Sequence, residues 1–244
     1  MGMRSYAPCP ERALLVDADD TLWENNVFYL SCRAHFQAWM QAQGYEPEIT
    51  AAMLDRCEME AVASYGYGPE GYVEALGWTC ERLLRQRGRS PEPDLLAKAR
   101  SFGELVLSPP MVLIAGVEET LRALKPTSRL ILVTKGSEAV QRDKIARSGL
   151  GHLFEAHYIV GEKDAPTYRR IAAERDLELS CTWVVGNSPK SDINPAIEAG
   201  MGAIWVPHER TWKAELQELK RPELVVTLRR FSDLLPFFGI EIVE

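Results

Sequence analysis

Three carboxylates follow an apolar segment near the start of the chain. Residues 13–16 are apolar, and Asp17, Asp19 and Asp20 come directly after them, followed by Thr21. Continuous apolar runs are typical of strands buried on both faces of a parallel sheet, and ligands collect at the carboxyl ends of such strands. Clustered carboxylates repel one another unless a cation neutralises them, and Mg²⁺ prefers such oxygen ligands. The pattern therefore predicts a magnesium site at the end of the first strand.

The spacing of Asp17 and Asp19 allows them to perform different chemistry. In an extended chain, neighbouring side chains point in opposite directions, whereas residues i and i+2 share a side. Asp17 could then act as a nucleophile while Asp19 transfers protons. On this segment alone, a polar turn is an equally ordinary interpretation of the acidic run.

Two later segments end in residues of compatible chemistry. An apolar run ends at Thr134, whose hydroxyl could bind a phosphate oxygen, and Lys135 and Gly136 follow it. Lys163 comes after a short strand-like run over residues 157–160. A point positive charge there would pair with phosphate and with the nucleophile. Taken separately, each residue also fits an ordinary strand end or a solvated loop.

A fourth apolar segment, over residues 182–185, leads into a polar loop. Asn187 and Asp192 lie in this loop and supply oxygen atoms that would complete the metal site. The alternative for Asp192 is a helix N-cap. Four strand ends with compatible chemistry favour one shared site.

In these motifs, the sequence resembles the haloacid dehalogenase-like hydrolase superfamily, and the resemblance covers essentially its whole length. The positions that are similar to the four family motifs are, in order, Asp17 to Thr21, Thr134, Lys163 and the segment 186–192. The resemblance implies an α/β fold with a doubly wound, Rossmann-like parallel sheet and an inserted α-helical cap domain.

The resemblance also implies a phosphoaspartyl mechanism. Asp17 would attack phosphorus, and Asp19 would protonate the leaving oxygen and then activate water. Thr134 and Lys163 would stabilise the transferred group and bind phosphate, with Lys135 and Gly136 as further candidate contacts. Phosphoryl transfer depends on such positioning and charge neutralisation.

A Mg²⁺ cofactor is the second implication of the resemblance. Its ligands would be Asp17, Asp192, Asn187 and a backbone carbonyl at Asp19. Many magnesium-dependent members carry aspartate where this chain has Asn187, so the site here loses one negative charge. We therefore expect weaker metal binding than an aspartate would give.

Asp19 also separates branches of the superfamily, because dehalogenases lack an aspartate at this position. The sequence thus predicts a phosphatase acting on a small phosphorylated metabolite. Transfer of the phosphoryl group to another metabolite, a dehalogenase-type activity, and a non-catalytic or regulatory binding protein remain alternatives, the last because of Asn187. A phospho-receiver domain would not need the long insertion, and a dinucleotide-binding domain would need glycines after the first strand.

Helical periodicity places the cap between the first and second motifs. Residues 24–108 contain four predicted helices, the last over residues 94–106, whereas residues 1–23 and 109–244 are predicted to form the core. Trp23, just after the first motif, and Tyr67, in a glycine-rich cap loop, are candidate substrate contacts. Aromatic residues are more often packing residues than ligand contacts.

The net charge and the length of the apolar runs restrict the classes of partner that the chain could bind. The formal net charge is −7 at pH 7, which argues against nucleic acid and anionic membranes as partners. No apolar run reaches the roughly 20 residues that span a bilayer, and the first residues lack a signal-peptide pattern, so we expect a cytoplasmic monomer or homodimer. The scattered positions of the 5 cysteines predict reduced thiols and no zinc site.

Overall fold

The computed structural model describes residues 11–241. The described chain divides into two compact units. One is an α/β unit, formed by residues 11–24 and 111–241. The other is the helical unit Asn25–Pro110, which is inserted between the two parts of the α/β unit in sequence.

The strands of the α/β unit form one parallel sheet. In chain order they are β1 (Arg12–Val16), β2 (Ser128–Lys135), β3 (Ala156–Val160), β4 (Thr182–Gly186), β5 (Gly202–Trp205) and β6 (Val225–Thr227). Across the sheet, the order is β3-β2-β1-β4-β5-β6 for the described residues. The first strand therefore lies at the centre, between β2 and β4, and its carboxyl end is flanked by both.

The α-helices alternate with these strands or form the helical unit. In chain order they are α1 (Asn26–Ala42), α2 (Pro47–Tyr65), α3 (Pro69–Gln86), α4 (Pro93–Ser101), α5 (Glu104–Leu107), α6 (Val117–Leu124), α7 (Glu138–Ser148), α8 (Ala165–Glu174), α9 (Asn194–Ala199) and α10 (Leu234–Phe237). The first five belong to the helical unit, and the other five to the α/β unit.

Alternate residues of the central strand enter two separate cores. Leu14 and Val16 belong to a hydrophobic cluster that also contains residues of α6, α7 and α10. Leu15 belongs to a second cluster, which contains residues of α8 and α9. Because successive side chains of a strand point to opposite faces, helices cover both faces of the sheet. This arrangement confirms the predicted doubly wound α/β core.

The helical unit has a hydrophobic core of its own, which includes Phe36 of α1, Leu54 of α2 and Leu76 of α3. The predicted single helix over residues 94–106 is wrong, since α4 and α5 are separate helices. The break contains Gly103, where an added Cβ would lie 2.7 Å from Val73 Cγ2. Glycine also disfavours a continuous helix.

The described cysteines differ in oxidation state. Cys32, Cys57 and Cys80 are free and buried, as predicted. Cys181 is disulfide-bonded, so the prediction of reduced thiols is wrong for this residue. Spacing cannot reveal such a bond, because it depends on which segments the fold brings together. Cys9 lies outside the described residues.

No helix within residues 11–241 combines the length and the apolar character that crossing a bilayer requires.

Candidate active site

The predicted catalytic residues lie at the carboxyl edge of the central strands. Asp17 directly follows β1, and Asn187 directly follows β4. Val16 is opposite Val185 in the β1–β4 register, and the Asp17 amide donates to the Val185 carbonyl at 2.9 Å. Thr134, the penultimate residue of β2, is buried at the same edge.

Lys163 joins two carboxylates at this edge. Its ammonium donates to Asp17 Oδ1 and, at 2.9 Å, to Asp192 Oδ1. All three side chains are buried, with exposed fractions of 3% for Lys163, 9% for Asp17 and 1% for Asp192. The structure thus brings together three residues that are far apart in the sequence.

Burial and neighbouring charge determine the protonation of this group. Burial raises the pKa of Asp17 above its usual range, and the nearby Asp192 adds to this effect against the opposing influence of Lys163. Burial alone would lower the pKa of Lys163, but the two carboxylates raise it well above its ordinary value. The ammonium of Lys163 therefore faces two carboxyl groups. This leaves negative charge that a second cation could neutralise.

Thr21 orients the other oxygen of Asp17. The Thr21 hydroxyl donates to Asp17 Oδ2 at 2.8 Å. A tight turn, closed by the Leu22 amide donating to the Ala18 carbonyl at 2.8 Å, places it there. Asp20 then adopts a φ of +61°, in the left-handed region. The acidic run is thus a turn that holds its first aspartate in place.

Asn187 is held at both ends of its side chain and by its backbone. Its Oδ1 lies 3.4 Å from the Thr21 hydroxyl oxygen, and its Nδ2 donates to Thr211 Oγ1 at 3.0 Å. The indole N–H of Trp205 donates to its backbone carbonyl at 3.0 Å. The amide oxygen is therefore directed toward the residues around Asp17.

Asp19 accepts hydrogen bonds from a different set of donors. Lys144 Nζ lies 2.9 Å from each of its carboxylate oxygens, Trp23 Nε1 donates to Oδ1 at 2.7 Å, and Gln141 Nε2 donates to Oδ2 at 3.0 Å. Burial would raise the pKa of Asp19, but Lys144 and these hydrogen bonds produce a net lowering. Asp19 is therefore ionised in this arrangement.

Asp192 is fixed by groups from its own loop and from α8. The Ser188 amide donates to Asp192 Oδ2 at 3.0 Å. The Tyr168 hydroxyl donates to the Ser191 carbonyl at 3.1 Å and lies 3.5 Å from Asp192 Oδ1. Asp192 belongs to the π-helical turn Pro189–Ile193, which precedes α9. Its side chain therefore accepts a hydrogen bond from Lys163 and does not cap α9.

Lys135 pairs with Glu215, a residue that no sequence pattern indicated. Its ammonium lies 2.7 Å from Glu215 Oε1 and 3.0 Å from Ser191 Oγ. The other oxygen of Glu215 accepts from the hydroxyls of Ser188, at 2.7 Å, and Ser191. Lys135 thus stabilises the loop after β4 through Ser191 and Glu215. The amide of the neighbouring Gly136 donates to the Val160 carbonyl.

The two aromatic candidates lie in different environments. Trp23 is 1% exposed and belongs to the hydrophobic core of the α/β unit, with its indole N–H directed at Asp19. This position fits a residue that orients Asp19 and not one that lies against substrate. Tyr67 belongs to the helical unit, between α2 and α3, and its role in substrate binding stays a prediction.

Sequence reasoning missed Gln141, Lys144, Tyr168 and Glu215. Gln141 and Lys144 are three residues apart on α7, and both are buried. Two long polar side chains at this spacing on the core-facing side of a helix are a usable signal, because such residues are seldom buried without partners. Glu215 lies in a loop region, where periodicity gives no comparable signal.

A second group of possible metal ligands lies in the α/β unit. Asp20, Glu24 and His208 have ligand atoms within 4.8 Å of one another. The side chain of His208 is only 15% exposed. The Arg210 guanidinium already lies 3.8 Å from Glu24 Oε2. Two carboxylates, an imidazole and a guanidinium therefore form one polar cluster here.

Comparison with known proteins gives a family match and several relatives. The family model of haloacid dehalogenase-like hydrolases matches residues 11–200. The chain is similar to 5-amino-6-(5-phospho-D-ribitylamino)uracil phosphatase YigB of Escherichia coli, with 25% identity over 88% of this chain and 93% of the relative. It is also similar to phosphoserine phosphatase of Thermus thermophilus, with 25% identity over 80% of this chain and 88% of the relative.

Solved structures agree on the fold. A haloacid dehalogenase-like family hydrolase from Xanthomonas campestris has a TM-score of 0.74 and 25% identity, covering 94% of this chain and 95% of its own. A 2-haloacid dehalogenase from Pseudomonas syringae has a TM-score of 0.55 and 20% identity, covering 94% and 98%. The second likeness supports the shared architecture only, because one fold carries different activities.

Proposed function

This chain belongs to the haloacid dehalogenase-like hydrolase family, and we propose that it is a phosphatase that cleaves a small phosphorylated metabolite through a phosphoaspartyl intermediate. One observation carries the proposal. Asp17 and Asp192 share the ammonium of Lys163 in a buried site, while Asp19 lies two residues away in its own donor set. This arrangement supports separate roles for Asp17 as the nucleophile and for Asp19 as the proton-transfer group.

In the first step, an oxygen of Asp17 forms a bond to phosphorus and the bond from phosphorus to the leaving oxygen breaks. Thr21 and Lys163 hold the two oxygens of Asp17, which fixes the carboxylate for attack. Such positioning is the main source of catalysis in phosphoryl transfer. The leaving oxygen takes a proton from Asp19, which must enter this step as the carboxylic acid, a form that its present contacts with Lys144, Gln141 and Trp23 disfavour.

In the second step, water attacks the phosphorus of the aspartyl phosphate. Asp19, now a carboxylate, accepts a proton from this water, and the bond between phosphorus and Asp17 breaks to release inorganic phosphate. The ionised state of Asp19 in its present contacts suits this second role. Lys163 and the hydroxyl of Thr134 would neutralise charge on the equatorial oxygens.

Mg²⁺ fits the donor set at this edge. The buried pair Asp17 and Asp192 carries more negative charge than Lys163 alone balances, and Asp192 adds to the effect of burial in raising the pKa of Asp17. Together with the amide oxygen of Asn187 and a backbone carbonyl at Asp19, these carboxylates would hold the ion. When bound, Mg²⁺ would neutralise phosphate charge and help to orient the transferred group.

The two curated relatives support the class of substrate. One is named for a phosphorylated ribitylaminouracil and the other for phosphoserine, and both names denote small phosphate esters. We propose the same class for this chain, with hydrolysis in the cytoplasm by a monomer or homodimer. Asp19 favours phosphate esters over haloacids, since a halide leaving group needs no proton.

The test is phosphate release from a panel of phosphorylated metabolites, with Mg²⁺ and with a chelator. We expect metal-dependent release by the wild-type protein and a loss of at least about 1,000-fold in Asp17→Asn. Asp143→Asn is the matched control, because Asp143 is an exposed aspartate of the same unit, paired with Arg147. Turnover in Asp17→Asn equal to that of the control would contradict the covalent mechanism.

A further inference from the structure

The contacts of Asp19 pose a geometric problem for the chemistry proposed above. A carboxylate offers about four lone-pair positions, two on each oxygen. Oδ1 accepts from Trp23 Nε1 at 2.7 Å and from Lys144 Nζ at 2.9 Å. Oδ2 accepts from Gln141 Nε2 at 3.0 Å and from the same Lys144 at 2.9 Å. All four positions are therefore occupied, and one donor must leave before Asp19 can face a leaving group or water.

The two oxygens take their unshared donors from different segments, with Trp23 2.7 Å from Oδ1 and Gln141 3.0 Å from Oδ2. Both donors to Oδ2, Lys144 and Gln141, come from α7, and Gln141 is itself fixed by donating to the Lys135 carbonyl at 3.2 Å. Oδ1 shares Lys144 and takes its other donor from Trp23, which follows Asp19 in the same turn. Lys144 is 8% exposed in its side chain, so losing Asp19 altogether would leave a buried ammonium without this counter-charge. Rotation about a retained oxygen costs less than complete release.

From this asymmetry we propose that Lys144 is a positioning residue for Asp19. Together with Gln141 it anchors Oδ2, so that Oδ1 becomes the oxygen that exchanges protons with the leaving group and with water. The inference rests on the proposed phosphatase function. Lys144 acts through Asp19 and touches neither phosphorus nor the leaving group.

The test is the dependence of kcat on the leaving group. An alkyl phosphate needs a proton from Asp19, whereas p-nitrophenyl phosphate has a stable leaving group that needs little protonation. We expect Lys144→Met to lower kcat on the alkyl phosphate by about 10- to 100-fold and on p-nitrophenyl phosphate by less than about 3-fold. The inhibition constant of inorganic phosphate should not change. Lys144→Arg should recover most of the loss, because it keeps the charge.

A double-mutant cycle separates positioning from general damage. In an Asp19→Asn background, Lys144→Met should cause no further loss on the alkyl phosphate, because its effect passes through Asp19. Equal fractional losses in both backgrounds, or on both substrates, would overturn the inference. Arg147→Met is the control on the same helix, since its ion pair with Asp143 is exposed.

Gln141→Leu keeps the inference testable if Lys144→Met does not fold. It removes one donor to Oδ2 without removing a charge, and the same selective loss on the alkyl phosphate is expected, with a smaller magnitude. No selective loss in a folded Gln141→Leu protein would count against the anchored-oxygen arrangement. An inactive wild-type protein would instead contradict the proposed function itself, so the two failures are distinguishable.

Discussion

The backbone of Gly186 lies so close to the carboxylate of Asp192 that a Cβ on residue 186 would be 2.2 Å from Asp192 Oδ2. The carboxylate cannot simply move away, because Lys163 holds one oxygen and the Ser188 amide holds the other. The last residue of β4 must therefore lack a side chain for the cluster around Lys163 to form. This requirement is steric and does not depend on positive φ.

Gly186→Ala should displace Asp192 and lower kcat by at least about 10-fold, with a loss of about 1–3 kcal/mol in the free energy of unfolding. The assays are phosphate release and urea unfolding. Gly161→Ala is the control, because a Cβ there would meet nothing within 4 Å. If Gly186→Ala and Gly161→Ala both keep wild-type activity, the tight packing around residue 186 has no catalytic consequence and the prediction fails.

Thr21→Val should reduce activity through the orientation of Asp17. The substitution keeps the volume and removes the hydroxyl that donates to Asp17 Oδ2 at 2.8 Å. Loss of a hydrogen bond to a charged group corresponds to roughly 1.5–3 kcal/mol, so kcat should fall by about 10- to 100-fold. Thr21→Ser retains the hydroxyl and should stay within a few-fold of wild type. Equal activities of the valine and serine variants would remove Thr21 from this role.

Glu215 should contribute to stability in a pH-dependent way. Burial opposes its ionisation, but Lys135 and the hydroxyls of Ser191 and Ser188 lower its pKa from 4.5 to about 2. A lowered folded-state pKa contributes stability above the unfolded-state value, which is lost as the pH falls from about 4.5 to about 2. The shift corresponds to at most about 3 kcal/mol.

The measurement is the free energy of unfolding at several pH values for wild type and Glu215→Gln. Their difference should be largest near neutral pH and should shrink as the pH falls below about 4.5. Glu162→Gln is the control, because Glu162 is 60% exposed and lies 3.8 Å from the same lysine. A difference that is constant with pH would show that the charge of Glu215 does not stabilise the fold.

The strand ends were predictable from the sequence because buried parallel strands are continuous apolar runs and their carboxyl ends share one edge. Asp17 and Asp192 follow such runs and Lys163 follows the partly exposed β3, and the structure brings the three residues together. The family motifs added the remaining positions. The fold class needed only the alternation of these runs with helical periodicity.

The partners of Asp19 and Lys135 could not be found in the same way. Gln141 and Lys144 reach Asp19 from a helix more than 120 residues later, and that contact depends on how α7 packs on the sheet. Glu215 lies in a loop without periodicity. Trp23 illustrates the opposite difficulty, because its place after the first motif suggested a substrate contact, whereas its ring lies in the core.

Asn187→Asp should strengthen Mg²⁺ binding. The substitution adds a negative charge beside Asp17 and Asp192, and affinity for hard cations rises with the number of charged oxygen ligands. We expect the dissociation constant for Mg²⁺, measured by calorimetry without substrate, to fall by about 10-fold, which corresponds to 1.4 kcal/mol. The same charge should lower the melting temperature in chelator, because it increases repulsion between buried carboxylates.

Asn187→Ala provides the opposite change, since it removes the amide oxygen and the donor to Thr211 without adding charge. Its Mg²⁺ affinity should be lower than that of wild type. If aspartate, asparagine and alanine at this position bind Mg²⁺ equally, residue 187 is not a ligand. If none of the three binds the ion while all fold, the magnesium site itself is contradicted, and the excess negative charge around Asp17 must be balanced by protonation, as its raised pKa allows.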